Sequence, residues 1–140
     1  MSAYNIQRFH QAQEHSYQNA FSEIRNGKKT SHWMWFVFPQ IAGLGYSEIS
    51  KLYAIRDLKE AELFLKDPIL GERLIAITQL LLEIKGKTAH EIFGHPDDLK
   101  LQSCMTLFSS LKDAHPVFQQ VLDKYYGGQK DLRTLELIEG

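Results

Sequence analysis

Apolar residues fall at helical spacing along nearly the whole chain, and alternating strand patterns are almost absent. From about Ile6 to Asn26 the inward set is Phe9, Tyr17, Ala20, Phe21 and Ile24, with Ser16 placed as an internal cap and Gly27 as a stop. Ser47 can cap a short helix to about Ile55. Asp57 and Glu60 have capping-box spacing for a helix to Leu65, and Asp67-Pro68 opens the next. Leu70, Leu74, Ile77, Leu81 and Ile84 then form the most regular stripe of the chain. Leu80 and Leu82 broaden it, so this helix is the expected centre, with Gly86 as its stop. Thr88-Ala89-His90-Glu91 is a capping box for a helix of one or two turns ending at Gly94. Pro96 opens a helix facing inward through Leu101, Cys104, Met105, Phe108 and Leu111. Pro116 opens another through Phe118, Val121, Leu122 and Tyr125, ended by Gly127-Gly128, and a last one carries Leu132, Leu135 and Ile138. The expected architecture is all-α, a compact single-domain bundle of about seven helices over residues 1–140.

One segment stands apart. Ser31-His32-Trp33-Met34-Trp35-Phe36-Val37-Phe38-Pro39-Gln40 holds both tryptophans and two of the eight phenylalanines. It is too short to span a bilayer, which takes ~20 apolar residues. Trp, Phe and Val also suit strands, but a lone strand has no partner in this chain, so a short buried helix ending before Pro39 is expected. Gly43-Leu44-Gly45 after it reads as a loop.

Composition narrows the class without changing the fold. Apolar residues make up 44% and charged residues 24%, an ordinary globular balance. Sixteen basic residues against 17 acidic ones leave a net charge of −1, which argues against a dedicated duplex-DNA or membrane-surface binder. No secretory signal is evident at the amino terminus, and a lone cysteine, Cys104, cannot form an internal disulfide. A cytoplasmic protein is expected.

Familiar catalytic patterns stop short. His90-Glu91 and His95 miss zinc-protease spacing by one residue, and Gly94 and Pro96 break the helix between them; His10 and His15 have the same fault. Gly43-Leu44-Gly45 lacks the third glycine of a dinucleotide fingerprint, and Ile49 stands where a nucleophile elbow after Ser47 needs glycine. Cys104 lies on an apolar face with no base nearby in sequence. No metal and no cofactor is implied.

Two strings are polar or aromatic beyond what packing asks: HWMWFVFPQIAGLGYSEISKLYAI at 32–55 and IFGHPDDLKLQSCMTLF at 92–108. With Tyr4 to Phe9, Ala12-Gln13, Pro68-Ile69-Leu70-Gly71, Arg73-Leu74 and Thr134-Leu135-Glu136-Leu137, they resemble a bacterial family called domain of unknown function 1810, some members of which carry a calpastatin label. The resemblance covers nearly the whole chain. It implies a compact all-helical fold and brings no activity, substrate or cofactor. That family usually shows two serines before Met-Thr-Leu-Phe; here Ser103 keeps the first and Cys104 replaces the second.

The two strings are expected to converge on one hollow, with the loop after Pro39 beside the helix that starts at Pro96. Asp97 and Asp98 would hold ribose hydroxyls, an amine, or a water to be deprotonated. His32 could serve as acid or base, its ordinary pKa of ~6.5 lying near neutrality. Trp33 and Trp35 stand about 200° apart on a helix, so one at most is a stacking platform. Gln40, Gly43, Gly45, Ser50, Tyr53, Lys100 and Ser103 complete the candidate ligand-binding set. Each has a plainer reading: the aspartates as helix-start charges, the tryptophans as core, His32 as a core histidine bonded to a carbonyl, and Gln40 and the glycines as turn residues. Binding of a small planar or nucleotide-like polar ligand, with hydrolysis as a further step, ranks first. A protein-interaction module displaying the aromatic run ranks second. Single-strand nucleic-acid binding through Arg25, Lys28 and Lys29 ranks last, and no protein partner is named.

Overall fold

The computed structural model describes residues 4–139, in which ten helices follow one another. They are α1 (Gln7–Gln13), α2 (Tyr17–Arg25), α3 (Met34–Val37), α4 (Glu48–Leu52), α5 (Leu58–Lys66), α6 (Leu70–Glu83), α7 (Ala89–Phe93), α8 (Asp97–Ser109), α9 (Val117–Tyr126) and α10 (Leu132–Glu139). The expected seven becomes ten when the first segment, which breaks before Tyr17, is counted as two helices and the short elements α3, α4 and α7, each placed by the sequence, are counted singly. The all-α class holds, with a single parallel bridge between Ile41 and Ile55 as the one β feature among the described residues.

Several ends are set by the residues that the spacing singled out. Ser47 Oγ accepts from the Ser50 N–H, Asp57 from the Glu60 N–H, and Thr88 with Glu91 closes a reciprocal box. Gly27, Gly86, Gly94 and Gly127 all take positive φ at helix ends. The end of α6 is held from outside. Lys124 Nζ, on α9, donates to the carbonyls of Leu81, Leu82 and Ile84, and the Tyr125 hydroxyl also donates to Leu81. A lysine thus satisfies carbonyls that a helix cannot bond internally.

The centre of the bundle is α8, not α6. Leu101, Ser103, Cys104, Met105, Thr106, Leu107 and Phe108 are all buried, and α5, α7, α9 and α10 pack around them. The stripe of α6 is one-sided by comparison and meets α2, α5 and α9. On α10 the expected face rotates: Thr134 is buried and Leu132 is 73% exposed. A chain of rings runs through the core, from Tyr53 to Phe9 (6.0 Å), Phe64 (4.9 Å), Phe108 (5.7 Å) and Phe118 (5.5 Å). The Phe9–Phe64 pair meets edge to face and the others are tilted, arrangements that add to area burial through the ring quadrupoles.

Candidate functional site

The aromatic run forms the short helix α3, and its residues are sorted by what α1 and α2 offer them. Trp33 is 1% exposed and packs on Phe38 and Phe93, while its indole N–H donates to Glu23 Oε1 at 2.9 Å. Met34, Phe36, Val37 and Phe38 are buried with it. Gln13, itself buried, donates to the Phe36 carbonyl at 2.8 Å and so satisfies an end of α3 that has no next turn. The run is therefore core and does not form the exposed patch an interaction module would show, because these rings fill the space between α1, α2 and α7. Of the aromatic residues in the run, Trp35 alone remains partly exposed.

After Pro39 the chain makes an excursion that returns to its starting point. Ile55 N–H donates to the Gln40 carbonyl at 2.8 Å, and Ala42 N–H to the Ile55 carbonyl at 2.7 Å. These two bonds tie off residues 40–55 as a closed loop, with α4 at its tip and no residue of α4 buried. Gly45 is required there: a Cβ would lie 2.5 Å from Ser50 Cβ. Between this loop and α3 opens a cleft of about 110 Å³, lined by Trp35, Gln40, Gly43, Gly45, Ser50, Lys51 and Tyr53, among others.

Six of the residues singled out in the sequence thus surround one hollow. Tyr53 is fixed by ring contact with Phe9 and Phe36. Neither its hydroxyl nor the Gln40 side-chain amide has a hydrogen-bond partner among the described residues, and Ser50 Oγ accepts from Ser47 Oγ at 2.8 Å with its own proton left over. Lys100 approaches from α8, its ammonium 5.4 Å from the centre of a Trp35 ring.

The other candidates lie elsewhere. Asp97 stands beside the tryptophans but outside the cleft, bonded to Lys29 Nζ at 2.9 Å and Lys100 Nζ at 3.4 Å. Lys29 in turn lies 5.1 Å from a Trp33 ring centre, so Asp97 joins two lysines that each sit over one indole. Asp98 accepts from the Leu99 N–H and pairs with His95 at 3.2 Å. His32 is exposed and does not line the cleft, so a carbonyl-bonded core position is not its setting. Ser103 Oγ donates to Asp131 at 2.9 Å and to the Leu99 carbonyl, tying α8 to the start of α10. Cys104 is fully buried, and desolvation pushes its thiol well above the ordinary range. Lys29, a proposed contact for single strands, has a side chain only 9% exposed because it is held by Asp97. Among the described residues no three His, Cys, Asp or Glu side chains gather as a metal site, and no helix is long and apolar enough to cross a membrane.

Sequence reasoning passed over Glu23, Gln13 and Arg8, which build the surroundings of the site. Each acts through a contact with a residue distant in the chain, and no local motif marks it. Gln13 and Arg8 did fall within the strings that carried the family resemblance.

Fold and site together define a small all-helical domain with an aromatic-walled cleft under a tied-off loop. The chain belongs to the family described as protein of unknown function (DUF1810), whose model matches residues 3–138. It is similar to the conserved hypothetical protein Rv1873 from Mycobacterium tuberculosis, known from a crystal structure. The identity is 45%, the cover 99% of each chain, and the TM-score 0.97. No curated protein matches the chain.

Proposed function

We propose that this protein binds a small planar polar molecule in the cleft between Trp35 and the loop of residues 40–55. One observation carries the reading: Gln40 and Tyr53 place polar groups with no hydrogen-bond partner among the described residues in a hollow walled by a partly exposed indole. Few convergent polar groups on an apolar wall are the usual make-up of a ligand site. The indole supplies stacking, and the amide and hydroxyl supply orientation.

Size narrows the ligand. A dry cavity of ~150 Å³ takes a molecule such as benzene. At about 110 Å³ this cleft admits a single ring or the tip of a larger molecule, and the remainder would lie outside. Hydrolysis finds no support in the geometry, since Asp97 and Asp98 are engaged by Lys29, Lys100 and His95 away from the cleft.

The test is a melting-temperature screen of nucleobases, nucleosides and single-ring heterocyclic acids, with indole emission followed in parallel. A ligand at a hundred times its Kd stabilises by ~2.7 kcal/mol. A true ligand raises the melting temperature and alters emission in the native chain, and Trp35→Ala removes both responses. A screen in which no compound does either removes the reading.

A further inference from the structure

The cleft beside Trp35 is not isolated. A second cleft, of about 390 Å³, is lined by Asn5, Arg8, Ala42, Lys51, Leu52, Ala54, Arg56 and Glu60. The two share Ala42, Lys51 and Ala54, so they meet across the returning arm of the loop. Their chemistry differs. The first offers an indole, an amide and hydroxyls; the second offers cations.

The charges in the second cleft are arranged unequally. Glu60, its one carboxylate, is 2% exposed and already accepts from Arg8 Nη1 at 2.8 Å, Arg8 Nη2 at 3.3 Å and the Arg56 N–H at 2.7 Å. Arg8 also donates to the carbonyls of Asn5, Leu52 and Ala54, so all three of its guanidinium nitrogens are engaged. This pair neutralises itself and makes a rigid floor. Lys51 and Arg56 remain as exposed cations at the rim; Arg56 lies over the Tyr4 ring, 5.2 Å from its centre, and among the described residues neither forms an ion pair. Two such positive charges on a chain whose net charge is −1 are a local feature, not general basicity.

We infer that the second cleft seats the phosphate of a phosphomonoester whose planar head enters the first. A phosphomonoester carries ~1.5–2 negative charges at neutral pH, matching the two cations at the rim that have no carboxylate partner. Lys51, lining both clefts, sits at the junction where head and phosphate would be joined. Arg56 can supply a forked pair of donors from the far side. The inference rests on the reading of the first cleft given above, and names the class of ligand it takes.

The experiment is a nitrogen-15 NMR titration of the whole chain with inorganic phosphate, followed by matched pairs of alcohols bearing one planar ring and their phosphate esters, cytidine and cytidine 5′-monophosphate among them. The expected result is a saturable shift of the amides from Lys51 to Arg56 with phosphate, weakened by added salt. The better ester of the panel should bind about ten-fold more tightly than its alcohol, the scale of one charge-assisted contact. Arg56→Gln should cut that advantage to about threefold, while loss of its exposed contact with the Tyr4 ring moves the melting temperature by only a few degrees. No saturable phosphate shift at 51–56, or esters no tighter than alcohols, overturns the inference even where the alcohols still perturb Trp35. Phosphate binding at 51–56 with no pair touching Trp35 supports the phosphate seat and removes the planar-ligand reading instead.

Discussion

The Trp33 indole N–H donates to the carboxylate of Glu23 at 2.9 Å, joining the aromatic segment to α2 through a bond inside the wall of the core. The same carboxylate accepts from the N–H groups of Thr30 (2.7 Å) and Ser31 (3.0 Å) and from the Ser31 hydroxyl. Four donors on one side chain fix the path from α2 into α3. That path decides which indole is buried and which is left beside the cleft.

This bonding makes acid sensitivity a test of the anchor. Burial alone would raise the Glu23 carboxyl, but hydrogen bonds from Ser31, Thr30 and Trp33 outweigh it and hold the pKa at about 2, against an ordinary 4.5. A carboxylate whose folded pKa is depressed contributes stability that is complete above the unfolded value and lost as pH falls toward the folded one. Stability should therefore decline between about pH 5 and pH 2, and Glu23→Gln should flatten that decline in urea melts followed by indole emission. Glu23→Ala, which strands several donors, should cost about 2–3 kcal/mol at neutral pH.

Arg8 and Glu60 give the second prediction. Their 2.8 Å contact is nearly closed to solvent, so removing one partner leaves a charge buried without compensation. Arg8→Met should lower unfolding free energy by about 3–5 kcal/mol in denaturant titrations. The double variant with Glu60→Leu should recover a large part of it, since replacing both charges by apolar groups removes the desolvation penalty. Strict additivity of the two single losses would contradict the coupling.

The same pair marks where sequence reading stops. Asp57 and Glu60 have the spacing of a capping box, and the Asp57 half forms, with its side chain bonded to the Glu60 N–H at 3.0 Å. The Glu60 carboxylate instead turns to Arg8, 52 positions away, and to the Arg56 N–H. Local spacing cannot rank a nearby backbone donor against a distant guanidinium. Helix ends and apolar stripes were legible because they depend on residues three or four apart. The convergence of Trp35, Gln40, Gly43, Gly45, Ser50 and Tyr53 was legible in part because fourteen residues span them all but one turn of α3, and glycines mark the loop. The centrality of α8 was not legible, since its apolar spacing marks one face through Leu101, Cys104, Met105 and Phe108, while Ser103, Thr106 and Leu107 on its other sides are buried as well.

Gly71 tests the close approach of α5 and α6. An added Cβ would fall 1.9 Å from the Leu65 carbonyl oxygen, which is backbone and cannot swing aside. Gly71→Ala should thus destabilise by about 1–3 kcal/mol despite alanine's better helix propensity. Gly86 is the control for crowding: nothing lies within 4 Å of a Cβ there, so its alanine variant bears only the strain of its positive φ. A Gly71→Ala chain that melts at or above the wild-type temperature would show that the two helices separate freely.

The cleft predicts a pattern opposite to that of Glu23 and Arg8. The Tyr53 ring packs on Phe9 and Phe36, but its hydroxyl has no protein partner among the described residues, and the same holds for the Gln40 amide. Tyr53→Phe keeps the ring contacts and removes only the hydroxyl, and Gln40→Ala leaves the backbone bond from Ile55 to the Gln40 carbonyl in place. Both should therefore stay within about 0.5 kcal/mol of wild-type stability. Each should weaken a ligand found in the thermal screen by about ten-fold, the loss of one well-placed hydrogen bond. Calorimetric titration beside a urea melt separates the two quantities. A large stability loss with unchanged affinity would show that these side chains support the fold, and would move the search for a ligand away from Trp35.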